Sequence, residues 1–376
     1  MCPSTALKLM LVGDLILDEP EPDSFFEPAR GALLQADVLV GHVEVPHTRR
    51  GRATGFDVPA PPSDPDNLAA LKRAGFHVAT LAGNHIFDAG PEGIEDTIAA
   101  LRQSGIATTG AGMCLAEARA PAVVVRRGFR VGTLSYNCVG PRESWAGEEK
   151  AGCAYVRVIT HYELDHATPG GSPRIYTFAE LESTDAMLAD VERLRREVDV
   201  LIVALHKGIG HTPAVLAMYE RPLAKAAVDA GADIVVGHHA HILRGVETYK
   251  GRPIYHGLGN FVTVTRALNI EGNPSPKRLE WARRRRELFG FEPDPDYPTY
   301  PFHPEARNAM IAVCEIGDEG VCRAGFIPCR VNPKGRPEIC GDDENGRAVA
   351  SYVDQITRKA GLHADFEWEG NWVRFL

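Results

Sequence analysis

Apolar residues fall in short unbroken runs along the chain, each about the length of one buried strand. The runs are Leu7–Val12, Asp37-Val-Leu-Val-Gly41, Val78–Leu81, Val131–Ser135, Val200–Leu205 and Ile234–Val236. A strand covered on both faces is apolar on both, so it lacks the alternation of a half-solvated strand. Between the runs lie stretches with helical spacing: Ser24–Ala36, Asp66–Ala74 stopped by Gly75, Gly93–Ser104, the amphipathic Ser183–Glu197, and Tyr219–Ala230. The repeated strand-helix-strand order predicts parallel, buried strands with helices outside, an α/β fold. A hairpin turning at Arg127-Gly128 joins it. So do a closing antiparallel pair, Ala309–Ile316 with Cys322–Pro328, a helix over Asn345–Ala360, and a last strand or tail over Phe366–Phe375. Residues 139–180, rich in Gly and Pro, read as irregular. Residues 265–304 read as an insertion: a charged helix Pro276–Phe289, then Glu292-Pro-Asp-Pro-Asp-Tyr-Pro, forming a lid, an interface element or a plain surface feature. With no internal repeat and no clear linker, residues 1–376 read as a single domain.

The polar residues that matter follow the apolar runs. Leu7–Val12 ends at Gly13-Asp14. Asp37–Gly41 runs into His42-Val-Glu44. Val78–Leu81 delivers Gly83-Asn84-His85-Ile-Phe-Asp88. Val200–Leu205 ends on His206-Lys207-Gly208, and Ile234–Val236 on Gly237-His238-His239-Ala-His241. Function gathers where parallel strands stop, and a buried strand has no use for imidazole. Asp14, Glu44, Asn84, His206, His239 and His241 are therefore candidate metal ligands. The spacing His239-x-His241 puts two imidazoles on one side of an extended segment, and His42 and Glu44 likewise point the same way. Two carboxylates, an amide oxygen and three imidazoles form a hard-to-borderline set without sulfur, suited to Mn, Fe(II) or Zn. Two metal ions bridged by a carboxylate accommodate six ligands and keep an open position. Asp88, three residues after His85, orients that ring and raises its basicity, as a general acid requires.

Composition narrows the setting. At 376 residues, 44% hydrophobic and 24% charged, the chain has ample material for one large core. A net charge of -9 argues against a nucleic-acid partner, which favours a basic surface. The run Arg283–Arg286 reads as a solvated face. The eight cysteines include no CxxC pair and give no zinc-ribbon or disulfide pattern, which favours a reducing compartment. No run approaches the length of a membrane helix, and the first residues lack a charged region followed by an apolar one. A cytoplasmic protein without a membrane partner is expected. His161, Glu163, Asp165 and His166 read as a solvated loop more readily than as a second metal site.

Taken together, Gly13-Asp14, the Glu44 segment, Ala82-Gly-Asn84-His85-x-x-Asp88, His206-x-Gly208, Gly237-His-His-Ala-His241 and Gly259-Asn-Phe261 resemble the CapA family. These proteins are named for poly-gamma-glutamate capsule synthesis and are related to calcineurin-like metallophosphatases. The resemblance covers residues 7–262 in order, and 302–375 more loosely. It implies a four-layered α/β/β/α sandwich with a dinuclear site at strand ends. Asp14 and His241 would hold the first metal, Asn84, His206 and His239 the second, and Glu44 would bridge them. His85, held by Asp88, would protonate a leaving group or bind the substrate's charge. Three positions depart from the pattern. Leu15-Ile16 follows Asp14 where metallophosphatases have Asp-x-His. His42 stands where CapA-like chains carry Asn, and Lys207 where they carry Trp. His42 could therefore ligate a metal or donate to substrate, and Lys207 could hold an anionic substrate, either a small molecule or peptide-like.

The leading expectation is a metal-dependent hydrolase acting on a phosphate ester or an amide or glutamyl-type substrate. A second keeps two divalent metals but uses them to acidify a C–H bond, with His85 or Lys207 as base, giving an epimerase or a lyase. A third is a non-catalytic module that binds an anionic polymer.

Overall fold

The computed structural model describes residues 6–52, 54, 60–164, 171–265 and 276–376. Two sheets lie face to face. In the first, the strand Leu7–Leu17 is central. Val38–Val43, Val78–Thr80 and Ala107–Thr109 continue from it in parallel, and Asn308–Gly317 flanks it in antiparallel pairing, followed by Gly320–Val331. In the second, Ile234–His238, Val200–His206 and Phe129–Asn137 run parallel, with Arg252–Tyr255 and Ala122–Arg126 outside them.

The period of two along each strand builds the layers. Leu7, Leu9 and Leu11 share one apolar cluster with Val200, Ile202, Ile234 and Val236 across the gap between the sheets. Met10, Val12 and Leu39 face the opposite way, onto Leu71, Ile94 and Leu101 of the helices Ala69–Arg73 and Gly90–Gln103. Leu201, Val203 and Val235 face out onto Met187, Val191, Leu223 and Ala227 of the helices Leu181–Arg195 and Glu220–Asp229. The result is the expected four-layered α/β/β/α sandwich. The helix Glu344–Lys359 adds Val353 and Ile356 to the inter-sheet core.

Four local expectations are corrected. The first strand does not stop at Asp14. It continues to Leu17 because it changes partner: Leu7–Leu11 pair with Asn308–Gly317, whereas Asp14–Leu17 pair in parallel with Asn260–Val264. A partner 246 residues away leaves no trace in the local pattern (260 − 14). Ser24–Ala36 is a 3₁₀ turn, Pro22–Phe25, and one short helix, Arg30–Leu33, in place of a continuous helix. Inside the stretch read as irregular, Val158–Glu163 and Arg174–Ala179 form an antiparallel hairpin that pairs with no other described strand. Both its faces are largely exposed, so it shows no in-out pattern. His161 and Glu163 lie on it in solvent, and Asp165 and His166 fall outside the described residues. Finally, Cys114, Cys138, Cys153, Cys314, Cys329 and Cys340 are free thiols, but Cys322 is disulfide-bonded, contrary to the expectation of a chain without disulfides. Among the described residues no helix is long and apolar enough to cross a membrane.

Candidate metal centre

The C-terminal ends of the parallel strands of both sheets meet along one rim. Asp14 enters it at a register shift. The ladder to Val38–Val43 jumps between Leu11 and Asp14, and the ladder to Asn260–Val264 jumps between Asp14 and Leu15. Such irregularities re-aim a side chain out of the pleat. The backbone there is held by Asp14 N–H donating to Gly259 O at 2.9 Å. Gly13 permits that approach, because a Cβ on it would lie 1.9 Å from the same oxygen. Gly259 itself has a φ of 62°, where glycine carries no steric penalty.

Around Asp14 the candidate ligands gather in two groups. Asp14, His42 and His206 each offer an atom within 4.8 Å of the others, and so do Asp14, Glu44 and His241. His206 and His238 are paired neighbours at the ends of adjacent strands. His42 lies between them, 4.7 Å from each ring centroid, and its Nδ1 is fixed by the Thr80 hydroxyl at 3.1 Å. His238 Nδ1 is 3.2 Å from Asp14 Oδ1, and His241 Nε2 is 3.2 Å from Glu44 Oε1. Asn84 Oδ1 meets His206 Nε2 at 2.8 Å. Asn260 Oδ1 meets His241 Nδ1 at 2.8 Å, and Asn260 Nδ2 in turn donates to the Tyr300 hydroxyl at 3.0 Å. His85 Nδ1 bonds Asp88 Oδ2 at 2.7 Å, with both side chains largely buried.

The polar balance of this cluster points to a cation. Asp14 Oδ1 and Oδ2, Glu44 Oε1 and Oε2, His42 Nε2, His206 Nδ1 and His238 Nδ1 are buried without a hydrogen-bond partner among the described residues. Orphaned buried polar atoms are costly and rare. So many lone-pair atoms in one place fit a bound metal, and the donor set of carboxylates and imidazoles suits a borderline divalent ion. Electrostatics agree. Burial, then repulsion from Glu44, pushes the Asp14 carboxyl up to about 7. Burial works in the same direction on Glu44, but His241 outweighs it and holds that carboxyl at about 2. Burial drives His42 down to about 4 and His238 to about 3, and holds His206 well below its ordinary value. These imidazoles are neutral at pH 7, the form that ligates.

Several expectations change in detail. His239 and His241 do not share one side of an extended segment. Both have left-handed backbones, φ 81° and 53°, a strain that clusters at functional sites. His239 stands 4.9 Å from the His206 ring and 6.3 Å from His241, outside the two converging groups. Asp14, expected in the first site alone, belongs to both groups, whereas Glu44, expected to bridge, belongs to one. His42, read either as a ligand or as a substrate contact, falls in one of the two candidate groups.

Lys207, also read as a substrate contact, faces away from the rim. Its neighbour His206 points in, so alternation sends Lys207 out of the site and into the protein. Its amine bonds Glu220 Oε2 at 2.8 Å and the His256 carbonyl at 3.0 Å, with no solvent exposure. The sequence reading missed His238 because it ended that strand at Val236. The signal was register: two further residues place His238 beside His206.

The matching family model, Bacterial capsule synthesis protein PGA_cap, covers residues 8–265. The chain belongs to this family. Relatives include a protein named as a probable polyglutamine synthesis accessory protein of Mycobacterium tuberculosis, 35% identical over 202 residues, which are 53% of this chain and 48% of that one. The PGA biosynthesis protein CapA of Bacillus subtilis is 27% identical over 266 residues, 68% of this chain and 63% of its own. The chain thus spans about half the length of the first of these relatives. Among solved structures, the calcineurin-like phosphoesterase YfkN from Bacillus subtilis aligns over 95% of this chain and 98% of its own, with 13% identity and a TM-score of 0.40.

Proposed function

We propose that this CapA-family protein is a metal-dependent hydrolase with a dinuclear centre, acting on a phosphate ester or on an amide or glutamyl-type bond. The observation that carries the reading is the convergence of unpartnered buried carboxylate and imidazole atoms on Asp14. Asp14, His42 and His206, with Asn84 and His238 beside them, would hold one divalent ion of Mn, Fe or Zn. Asp14, Glu44 and His241 would hold the other, with His239 at the edge. Bound there, the ions supply Lewis acidity and make water acidic enough to attack at neutral pH.

The protein's own groups do the rest. Asp88 fixes the proton of His85 on Nδ1 and leaves Nε2 to exchange a proton with the reacting molecule. His85 is close enough that its charge helps to hold Glu44 down. Asn260, braced by Tyr300, sets the ring of His241. The names of two relatives, a probable polyglutamine synthesis accessory protein and a PGA biosynthesis protein, favour the amide or glutamyl-type substrate within this proposal. The epimerase or lyase reading loses one of its two bases, since Lys207 is sealed in its ion pair.

The test is a screen of metal-loaded protein against p-nitrophenyl phosphate and γ-glutamyl peptides, in D₂O as well as in water. Hydrolysis without deuterium entering carbon supports the proposal. His85→Ala should keep its metal and lose about 10²- to 10⁴-fold in kcat. Deuterium exchange at carbon without hydrolysis would move the same site to the C–H chemistry.

A further inference from the structure

Two hydrogen bonds decide which nitrogens of the cluster are free to ligate. His206 Nε2 lies 2.8 Å from Asn84 Oδ1. A carbonyl oxygen only accepts, so Nε2 carries the proton and the lone pair of the neutral ring is on Nδ1. The Thr80 hydroxyl donates to the Gly41 carbonyl at 3.4 Å and accepts from His42 Nδ1 at 3.1 Å. That puts the His42 lone pair on Nε2. The two nitrogens so prepared, His42 Nε2 and His206 Nδ1, are buried without a hydrogen-bond partner among the described residues.

Both rings also border a common space. A Cβ at Gly83 would lie 3.0 Å from His42 Nε2 and 3.4 Å from His206 Cε1, the carbon next to Nδ1. Glycine at this position leaves that space open. Asp14 completes the group, with one atom from each of the three residues within 4.8 Å of the others. The two groups that share Asp14 therefore differ in kind. Asp14, His42 and His206 offer two imidazole nitrogens and one carboxylate, whereas Asp14, Glu44 and His241 offer two carboxylates and one imidazole. Imidazole suits Zn and Fe, and carboxylate oxygen with water suits Mn and Mg.

We propose that Asp14, His42 and His206 form a nitrogen-rich site selective for a borderline ion such as Zn²⁺, leaving the oxygen-rich group to a harder ion such as Mn²⁺. Asn84 then acts as a positioning residue: its Oδ1 is turned onto His206 and sets which nitrogen of that ring ligates. Thr80 does the same for His42. The proposal rests on reading the Asp14 cluster as a metal centre, but it does not depend on hydrolysis.

Metal-free protein is titrated with Zn²⁺ and with Mn²⁺ in chelator buffers. The form with one equivalent of Zn²⁺ is then examined by X-ray absorption at the zinc edge, and the melting temperature of the metal-free protein serves as a control. Wild type should show at least two imidazoles on zinc. His42→Asn keeps an amide N–H near the position of Nδ1, toward Thr80, and removes Nε2. It should weaken the first equivalent of Zn²⁺ by about tenfold or more, since even changes to a ligand's outer partners cost that much. It should also take one imidazole off zinc and change Mn²⁺ affinity by less than about threefold. Glu44→Gln should reverse the order and weaken Mn²⁺ more than Zn²⁺. Fewer than two imidazoles on zinc in wild type, an unchanged count in His42→Asn, or equal weakening of the two ions in either variant would each overturn the proposal. Wild type that binds neither ion would overturn the metal centre with it. Selective binding without hydrolysis of any substrate would contradict the hydrolase reading alone.

Discussion

Lys207 offers a sharp test, because the structure assigns it a role opposite to the one its position after His206 implies. Its amine has no solvent exposure, and Glu220, its partner at 2.8 Å, has 1%. Glu220 Oε1 accepts the N–H of Ala217 at 2.7 Å and so fastens the loop that carries His211. Replacing Lys207 by Met leaves a carboxylate buried opposite nothing. Removing one partner of such a pair destabilises by about 3–5 kcal/mol, whereas replacing both by apolar residues is often close to neutral. The double variant Lys207→Met with Glu220→Leu should therefore recover most of the loss. The remaining deficit should be about 1–2 kcal/mol, because the Ala217 N–H and the His256 carbonyl lose partners. Urea denaturation of metal-loaded protein at pH 7 measures all three. A single variant within about 0.5 kcal/mol of wild type would be an ordinary surface result. Combined with weakened anion binding, it would put the amine in the substrate site and refute the buried-pair account.

Two further outcomes follow from the geometry. Gly13→Ala places a methyl 1.9 Å from the Gly259 carbonyl, with backbone rather than a movable side chain in the way. It should cost about 1–3 kcal/mol, as overpacking typically does, and should lower metal content with it, read by thermal melting and elemental analysis. A variant that keeps both would show that Asp14 is not positioned by that close approach. For the metal-free protein, burial holds His42, His47 and His256 near 4 and His238 near 3, with His206 and His211 also well below 6.5. Each binds a proton in the unfolded chain that the fold refuses, so stability should fall as pH drops from about 6.5 toward 4. Asp14, raised to about 7, and His241, raised above its ordinary value as Glu44 and Asp14 outweigh its burial, work the other way, two groups against six. Stability that stays flat or rises over that window, followed by denaturant titration at several pH values, would contradict these environments.

How much of this was legible beforehand depended on how local the signal was. The buried parallel strands and their outer helices were readable because each strand carries its own apolar run. Candidate ligands could be picked out because Asp14, Glu44, Asn84, His206 and His241 stand at or just past those runs. The length of the first strand was not, since its last residues are held by Asn260–Val264 from far along the chain. The direction of Lys207 follows from alternation once His206 is known to face the rim, but which face that is comes only from the assembled sheets. His239 and His241 escaped an extended-chain argument because left-handed backbone at a non-glycine is set by surroundings that a sequence window does not contain. Arg285 hid in a run read as a solvated face: it is buried, whereas the other three arginines of the run are exposed.

The central claim is that Asp14 anchors a metal centre, and elemental analysis tests it most directly. Protein purified without chelator, then reconstituted with Mn, Fe or Zn, should carry about two equivalents of metal, as a paired ligand set at a metal-dependent hydrolase site requires. Asp14→Asn should lose metal from both positions, because Asp14 belongs to both ligand groups. Wild-type protein that stays metal-free after reconstitution, or an Asp14→Asn variant that keeps the full complement, would contradict the account.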